Sequence, residues 1–159
     1  MNSAVILLGS NIDPEENIRY ALGLIHQIVK IDEYSRIYKT PSYGSPGPEF
    51  LNLAVKISTR FSLFELKQRV HSIIEDTLGR VRKADKNAPR TMDIDTIIYN
   101  EQVIDGDLWE KVFVALPIAD IYPEFINLKT RKTLIAIAEE LKDSAQIELF
   151  DAPASFFPS

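Results

Sequence analysis

A chain of 159 residues, 45% hydrophobic and 26% charged, has the size and composition of one globular domain with its own core. Its formal net charge of −5 argues against a general nucleic-acid binder, and the absence of cysteine excludes disulfides and thiolate metal sites. No apolar run approaches the roughly 18 residues that span a membrane, and the N-terminus lacks the basic flank and cleavage pattern of a signal peptide. The expectation is a single cytoplasmic domain over residues 1–159.

The apolar start, Met1 to Gly9, reads as a first strand. Asp13 before Pro14, with Glu16 three residues on, has the pattern of an N-cap and capping box. Ile18, Ala21, Leu22, Ile25, Ile28 and Val29 then recur at helical spacing. A second strand is expected near Tyr34 to Thr40, followed by a Pro/Gly-rich loop over Pro41 to Pro48. Phe50 to Thr59 alternates in polarity as a strand with one apolar face. Ser62 and Glu65 form a capping box for a helix whose stripe is Leu63, Leu66, Val70, Ile73 and Ile74, ending near Gly79.

Thr91 to Tyr99 has the length and β-branched content of a buried strand. Leu108 to Ile121 reads as a helix that Pro117 limits, Arg131 to Leu141 as an amphipathic helix, and Ile147 to Phe150 as a closing strand. The tail from Ala152 to Ser159 is expected to be loosely held. Neighbouring strands occur beside βα units, so the class is α+β with a mixed sheet. His26 and His71 fall within helices and read as surface or interface histidines.

The chemistry concentrates in RVRKADKNAPRTMDIDTIIY, residues 80 to 99. Side chains alternate along a strand, so Asp93 and Asp95 share one face. Hard divalent cations such as Mg²⁺ take one or two carboxylates together with substrate phosphates. Alone, the aspartate pair favours a blander reading, a solvated edge or carboxylates paired with neighbouring arginines. Arg80, Arg82, Lys83, Lys86 and Arg90 stand just upstream, and arginine is suited to bidentate phosphate contact. Carboxylates for a metal beside cations for phosphates form the working set of phosphoryl transfer. Glu75 and Asp76, in the last turn of a helix, sit where the macrodipole disfavours acids, so they call for cationic partners such as Arg80 or Arg82. Phe50 and Asn52 share a strand face, where an aromatic and an amide can grip a flat heterocycle or simply join the core.

LGSN (8–11), SRIYKTPSYG (35–44), FLNLAV (50–55) and EDTLGRVRKADKNAPRTMDIDTIIYN (75–100) together resemble the 6-hydroxymethyl-7,8-dihydropterin pyrophosphokinase family of folate biosynthesis. The resemblance implies a ferredoxin-like sandwich, with a mixed, mostly antiparallel sheet and helices on its faces. It implies transfer of pyrophosphate from ATP, the co-substrate, to the pterin hydroxymethyl group, with AMP released. Asp93 and Asp95 would hold two Mg²⁺ ions, Arg80, Arg82 and Arg90 would contact phosphate, and Glu75 would lie near the nucleotide. Asn52 would bond the pterin, Phe50 and Phe113 would stack on it, and backbone groups of Thr40, Pro41 and Tyr43 would read its remaining edge. The expected partners are these small molecules alone, with no nucleic acid, no membrane and a monomeric state. The chain departs from the family pattern over Asp105 to Val114, which is shorter, lacks the usual Pro-His and has Lys111 where an arginine stands. Asn87 also replaces a frequent tryptophan. Two other readings stay open: a homologue that binds pterin or nucleotide without turnover, and a protein-binding module.

Overall fold

The computed structural model describes residues 1–42, 47–79 and 92–158. Strand β1 (Asn2–Ser10) runs into helix α1 (Pro14–Ile28), then β2 (Lys30–Tyr34), β3 (Ile37–Thr40) and β4 (Phe50–Thr59). The helical stretch after β4 comprises α2 (Leu63–Leu66), a π-turn over Lys67–His71 and α3 (Ser72–Gly79). Next come β5 (Asp93–Tyr99), β6 (Gln102–Val103), a 3₁₀ turn at Gly106–Trp109, α4 (Val112–Ile121), α5 (Leu134–Lys142), β7 (Glu148–Phe150) and a last 3₁₀ turn at Ala154–Phe156.

Among the described residues the strands form one sheet, ordered β6-β5-β1-β4-β3-β7, with β2 on the remaining half of β4. Every described pairing is antiparallel. The chain from β1 through α1 to β2 skips over β4, and the chain from β4 through α2 and α3 to β5 skips over β1. Two interleaved βαβ units of this kind make the ferredoxin-like sandwich.

Strand alternation divides the core in two. Ala4, Ile6 and Leu8 of β1, with Leu53, Val55 and Ile57 of β4, pack under α1 and the α2–α3 stretch. Val5 and Leu7 of β1, with Ala54 of β4, face α4 and α5 on the other side.

Several expectations change. Asp13 adopts a left-handed conformation (φ 39°, ψ 53°) and makes no side-chain cap, because capping needs an extended N-cap residue; Pro14 still opens α1, whereas Ile28 is exposed. The Ser62–Glu65 capping box forms. The expected second strand is two strands, broken where Ser35 Oγ accepts from the Ala54 amide (2.8 Å) and Ser35 donates to the Arg36 carbonyl (2.7 Å). Pro117 lies inside α4 and is buried there, since the apolar contacts of its ring outweigh the one backbone donor it lacks. The tail is held: Phe156 is buried in the α1-side core, and Phe157 stacks at 4.7 Å on Tyr34.

Candidate active site

The residues that build the site come from four strands, β1, β3, β4 and β5, and from α4, which covers this face of the sheet. Register places Gly9 opposite both Asp93 and Asn52, and Leu7 opposite Asp95. A row therefore runs across the strands from carboxylate to bare backbone to amide. Over it lies a pocket of about 190 Å³, lined by Leu7, Gly9, Thr40, Phe50, Asn52, Asp93, Asp95 and Phe113.

The sequence-based expectations for Asp93, Asp95, Asn52, Phe50, Thr40 and Phe113 converge there. Both aspartates point to the same face, and neither is fully buried: Asp93 is partly covered and Asp95 exposed. Contact with water spares both carboxylates most of the cost of desolvating a charge on an otherwise apolar strand. Phe113 comes from the first turn of α4 and Phe50 opens β4, so the two rings reach the pocket from the helix layer and from the sheet. Asn52 is buried at 4% exposure and donates through Nδ2 to Thr40 Oγ1 at 3.0 Å.

Other expected residues lie beside this pocket or outside the described residues. Glu75 Oε2 accepts from the Ile94 amide at 3.1 Å, so this acid of α3 holds the start of β5 by a backbone bond. Lys111 occupies the N-cap position of α4 without a side-chain cap bond; its ammonium pairs with Asp107 at 3.1 Å. It lines a neighbouring depression of about 280 Å³, with Phe113 the wall shared by the two. Pro41 lines a further depression with Lys39 and Glu148. Arg80, Arg82, Arg90 and Tyr43 lie outside the described residues. So does the expected pairing of Glu75 and Asp76 with Arg80 or Arg82.

The carboxylate pair fits a Mg²⁺ site shared with phosphate. Among the described residues no group of three or more His, Cys, Asp or Glu side chains gathers, as an all-protein metal cage would need. Mg²⁺ characteristically takes only one or two carboxylates and completes its shell with substrate oxygens and water.

Sequence reasoning missed Leu7 and Gly9 in the pocket floor. A Cβ on Gly9 would come within 3.2 Å of Asn52 Oδ1, so the glycine gives the amide its room. The signal was present in the β1 pattern, where a residue without a side chain ends an apolar strand. His71 was also misjudged. It is buried, with Nε2 at 2.8 Å from Thr96 Oγ1, on the face of β5 opposite the aspartates. Burial, with Lys67 nearby, pushes its imidazole down to about 4.

The 7,8-dihydro-6-hydroxymethylpterin-pyrophosphokinase (HPPK) family model matches residues 5–123, which hold every residue of the pocket. The chain belongs to the HPPK family. The 2-amino-4-hydroxy-6-hydroxymethyldihydropteridine pyrophosphokinase of Bacillus subtilis is 38% identical over 132 residues, covering 76% of this chain and 78% of its own. The Synechocystis protein of the same name is 28% identical over 155 residues, covering 91% of this chain and 78% of its own. Among solved structures, an HPPK-DHPS in complex with substrates superposes with a TM-score of 0.70 at 14% identity, covering 90% of this chain. The Plasmodium falciparum HPPK-DHPS does so at 0.69 and 14%, covering 87%. This HPPK-family chain spans 44% and 41% of those two solved chains, and the likeness to them is one of fold. No helix among the described residues is long and apolar enough to cross a membrane.

Proposed function

We propose that this chain transfers the β,γ-pyrophosphoryl group of ATP to 6-hydroxymethyl-7,8-dihydropterin, releasing AMP, as one domain over residues 1–159. The observation that carries the reading is a single pocket that sets two aromatic rings and a buried amide directly beside a pair of carboxylates. The rings of Phe50 and Phe113 offer faces to a flat heterocycle, and Asn52 offers it a hydrogen-bonding edge. Backbone groups of Thr40, Pro41 and Tyr43 read the rest of that edge.

In the reaction, the hydroxymethyl oxygen forms a bond to the β-phosphorus while the bridge to the α-phosphate breaks. AMP departs with that bridging oxygen, and the hydroxyl proton is lost to water or phosphate. Asp93 and Asp95 would hold two Mg²⁺ ions, which when bound neutralise phosphate charge. Arg80, Arg82 and Arg90 supply the phosphate-binding cations, with Glu75 and Lys111 near the nucleotide. The protein's part is placement: an acceptor hydroxyl held rigidly near phosphorus gains most of its rate from orientation. The chain acts as a monomer in the cytoplasm on this reading, which a light-scattering mass of one chain supports and a dimer mass contradicts.

The test is purified protein with ATP, Mg²⁺ and the hydroxymethyl dihydropterin, with AMP measured. Turnover is expected, and Asp93→Ala or Asp95→Ala should each lower kcat by about a hundredfold or more while the circular dichroism spectrum is retained. Tight pterin binding without AMP would mean a homologue that binds and does not catalyse.

A further inference from the structure

We propose that the Thr40 hydroxyl and the bare Cα of Gly9 are positioning elements that hold the Asn52 amide in the plane from which it reads its substrate, a role that rests on the pterin reading above. Three observations meet at this amide. Asn52 and Thr40 are buried at 4% and 1% exposure, so water does not set their orientation. The Asn52 Nδ2 donates to Thr40 Oγ1 at 3.0 Å, on the β3 side of the strand. Its Oδ1 turns the other way, toward β1, into space that a Cβ on Gly9 would invade at 3.2 Å.

The register explains why these residues meet. Asn52 pairs with Gly9 on one side and with Tyr38 on the other, and Thr40 is the next residue of β3 on the same face. The amide thus lies across the sheet, with its nitrogen anchored on β3 and its oxygen toward the strand that leads to Asp93. A carbonyl oxygen turned toward a carboxylate favours a hydrogen-bond donor between them. The amide accordingly presents an acceptor to a ring N–H at the side of the pocket nearest the aspartates. Without the Thr40 hydroxyl the amide loses its anchor and can rotate about its last torsion. A methyl group at residue 9 would push its oxygen out of this plane.

The first readout needs no substrate. In the free protein, one Asn52 side-chain amide proton should exchange slowly with water, and Thr40→Val, which keeps the shape and removes the hydroxyl, should speed that exchange. In the presence of substrates, Thr40→Val should raise the pterin Kd and KM by about tenfold, the effect of one lost hydrogen bond that orients a buried group. The ATP KM should stay unchanged, Thr40→Ser should restore binding, and Gly9→Ala should weaken pterin in the same selective way. In an Asn52→Ala background the cost of Thr40→Val should vanish, since nothing is left to orient. A Thr40→Val protein with unchanged amide exchange and unchanged pterin Kd overturns the proposal. So does an equal cost with and without Asn52, which would show a structural role only. If the wild-type protein binds no pterin, the functional reading fails, and the amide exchange alone then decides whether Thr40 orients Asn52.

Discussion

At the scale of single residues, the site was legible where the chemistry sits on strands. Side-chain alternation put Asp93 with Asp95 and Phe50 with Asn52 on shared faces, and the structure brings those faces together. What pattern reading could not reach is what each charge does when a nearer partner exists. Lys111 shows this, because its ammonium pairs with Asp107 and lies 5.9 Å from the Phe113 ring. An exposed ion pair of this kind is worth little, so a phosphate can draw the lysine away from Asp107. Lys111→Ala should therefore raise the ATP KM by about threefold and leave the pterin KM alone. An unchanged ATP KM would assign Lys111 to the start of α4 and to nothing else. Gly9 carried the weakest signal of all, since a missing side chain shows its purpose only when the neighbouring strand is in place.

At the scale of elements, helix and strand types were readable from periodicity, and the misses have physical causes. The π-turn at Lys67–His71 inserts one residue into the helix, so Val70 and His71 both turn inward and Ile73 turns out to 52% exposure. A uniform helical period cannot show this. The buried His71 has no partner on Nδ1 in the described structure and bonds Thr96 through Nε2. Its folded pKa, about 4, lies below the ordinary imidazole value of 6.5, chiefly because burial disfavours the charged ring. The unfolded chain therefore binds the proton first. The stability from a neutral His71 is complete above the unfolded pKa, falls as pH drops through the window from 6.5 to about 4, and levels off below it. Urea midpoints between pH 7 and pH 4.5 should thus fall less for His71→Leu combined with Thr96→Val than for the native protein. Equal slopes would mean that other groups govern the acid limb.

At the scale of the whole molecule, the order of elements pointed to α+β, while the way the two βαβ units interleave needed the resemblance and then the structure. The tail was the largest misreading. Its Pro and Ser residues suggest a loose end, yet Phe156 enters the core at 4% exposure and Phe157 packs on Tyr34. The closing strand expected just before it forms as β7 and pairs with β3. Phe156→Ala should lower Tm by about 10 °C, the expected shift for a buried aromatic truncated in a chain of this size. Leu149→Ala, at a side chain 54% exposed, should move it little. A second long-range tie joins α4 to the break between β2 and β3. Arg36 Nη2 and the Tyr38 hydroxyl both donate to Asp120, at 2.8 Å and at 2.9–3.0 Å.

The pocket draws on residues as far apart in the chain as Leu7 and Phe113, and no one segment carries a usable fraction of it. On the proposed reading, a pterin held there engages only the assembled chain, and by mass action its presence would drain the unfolded population. A ligand at a hundredfold excess over its Kd adds about 2.7 kcal/mol to the folding free energy. Pterin at that excess should thus slow proteolysis of the chain, as a limited-digestion time course with and without it would show.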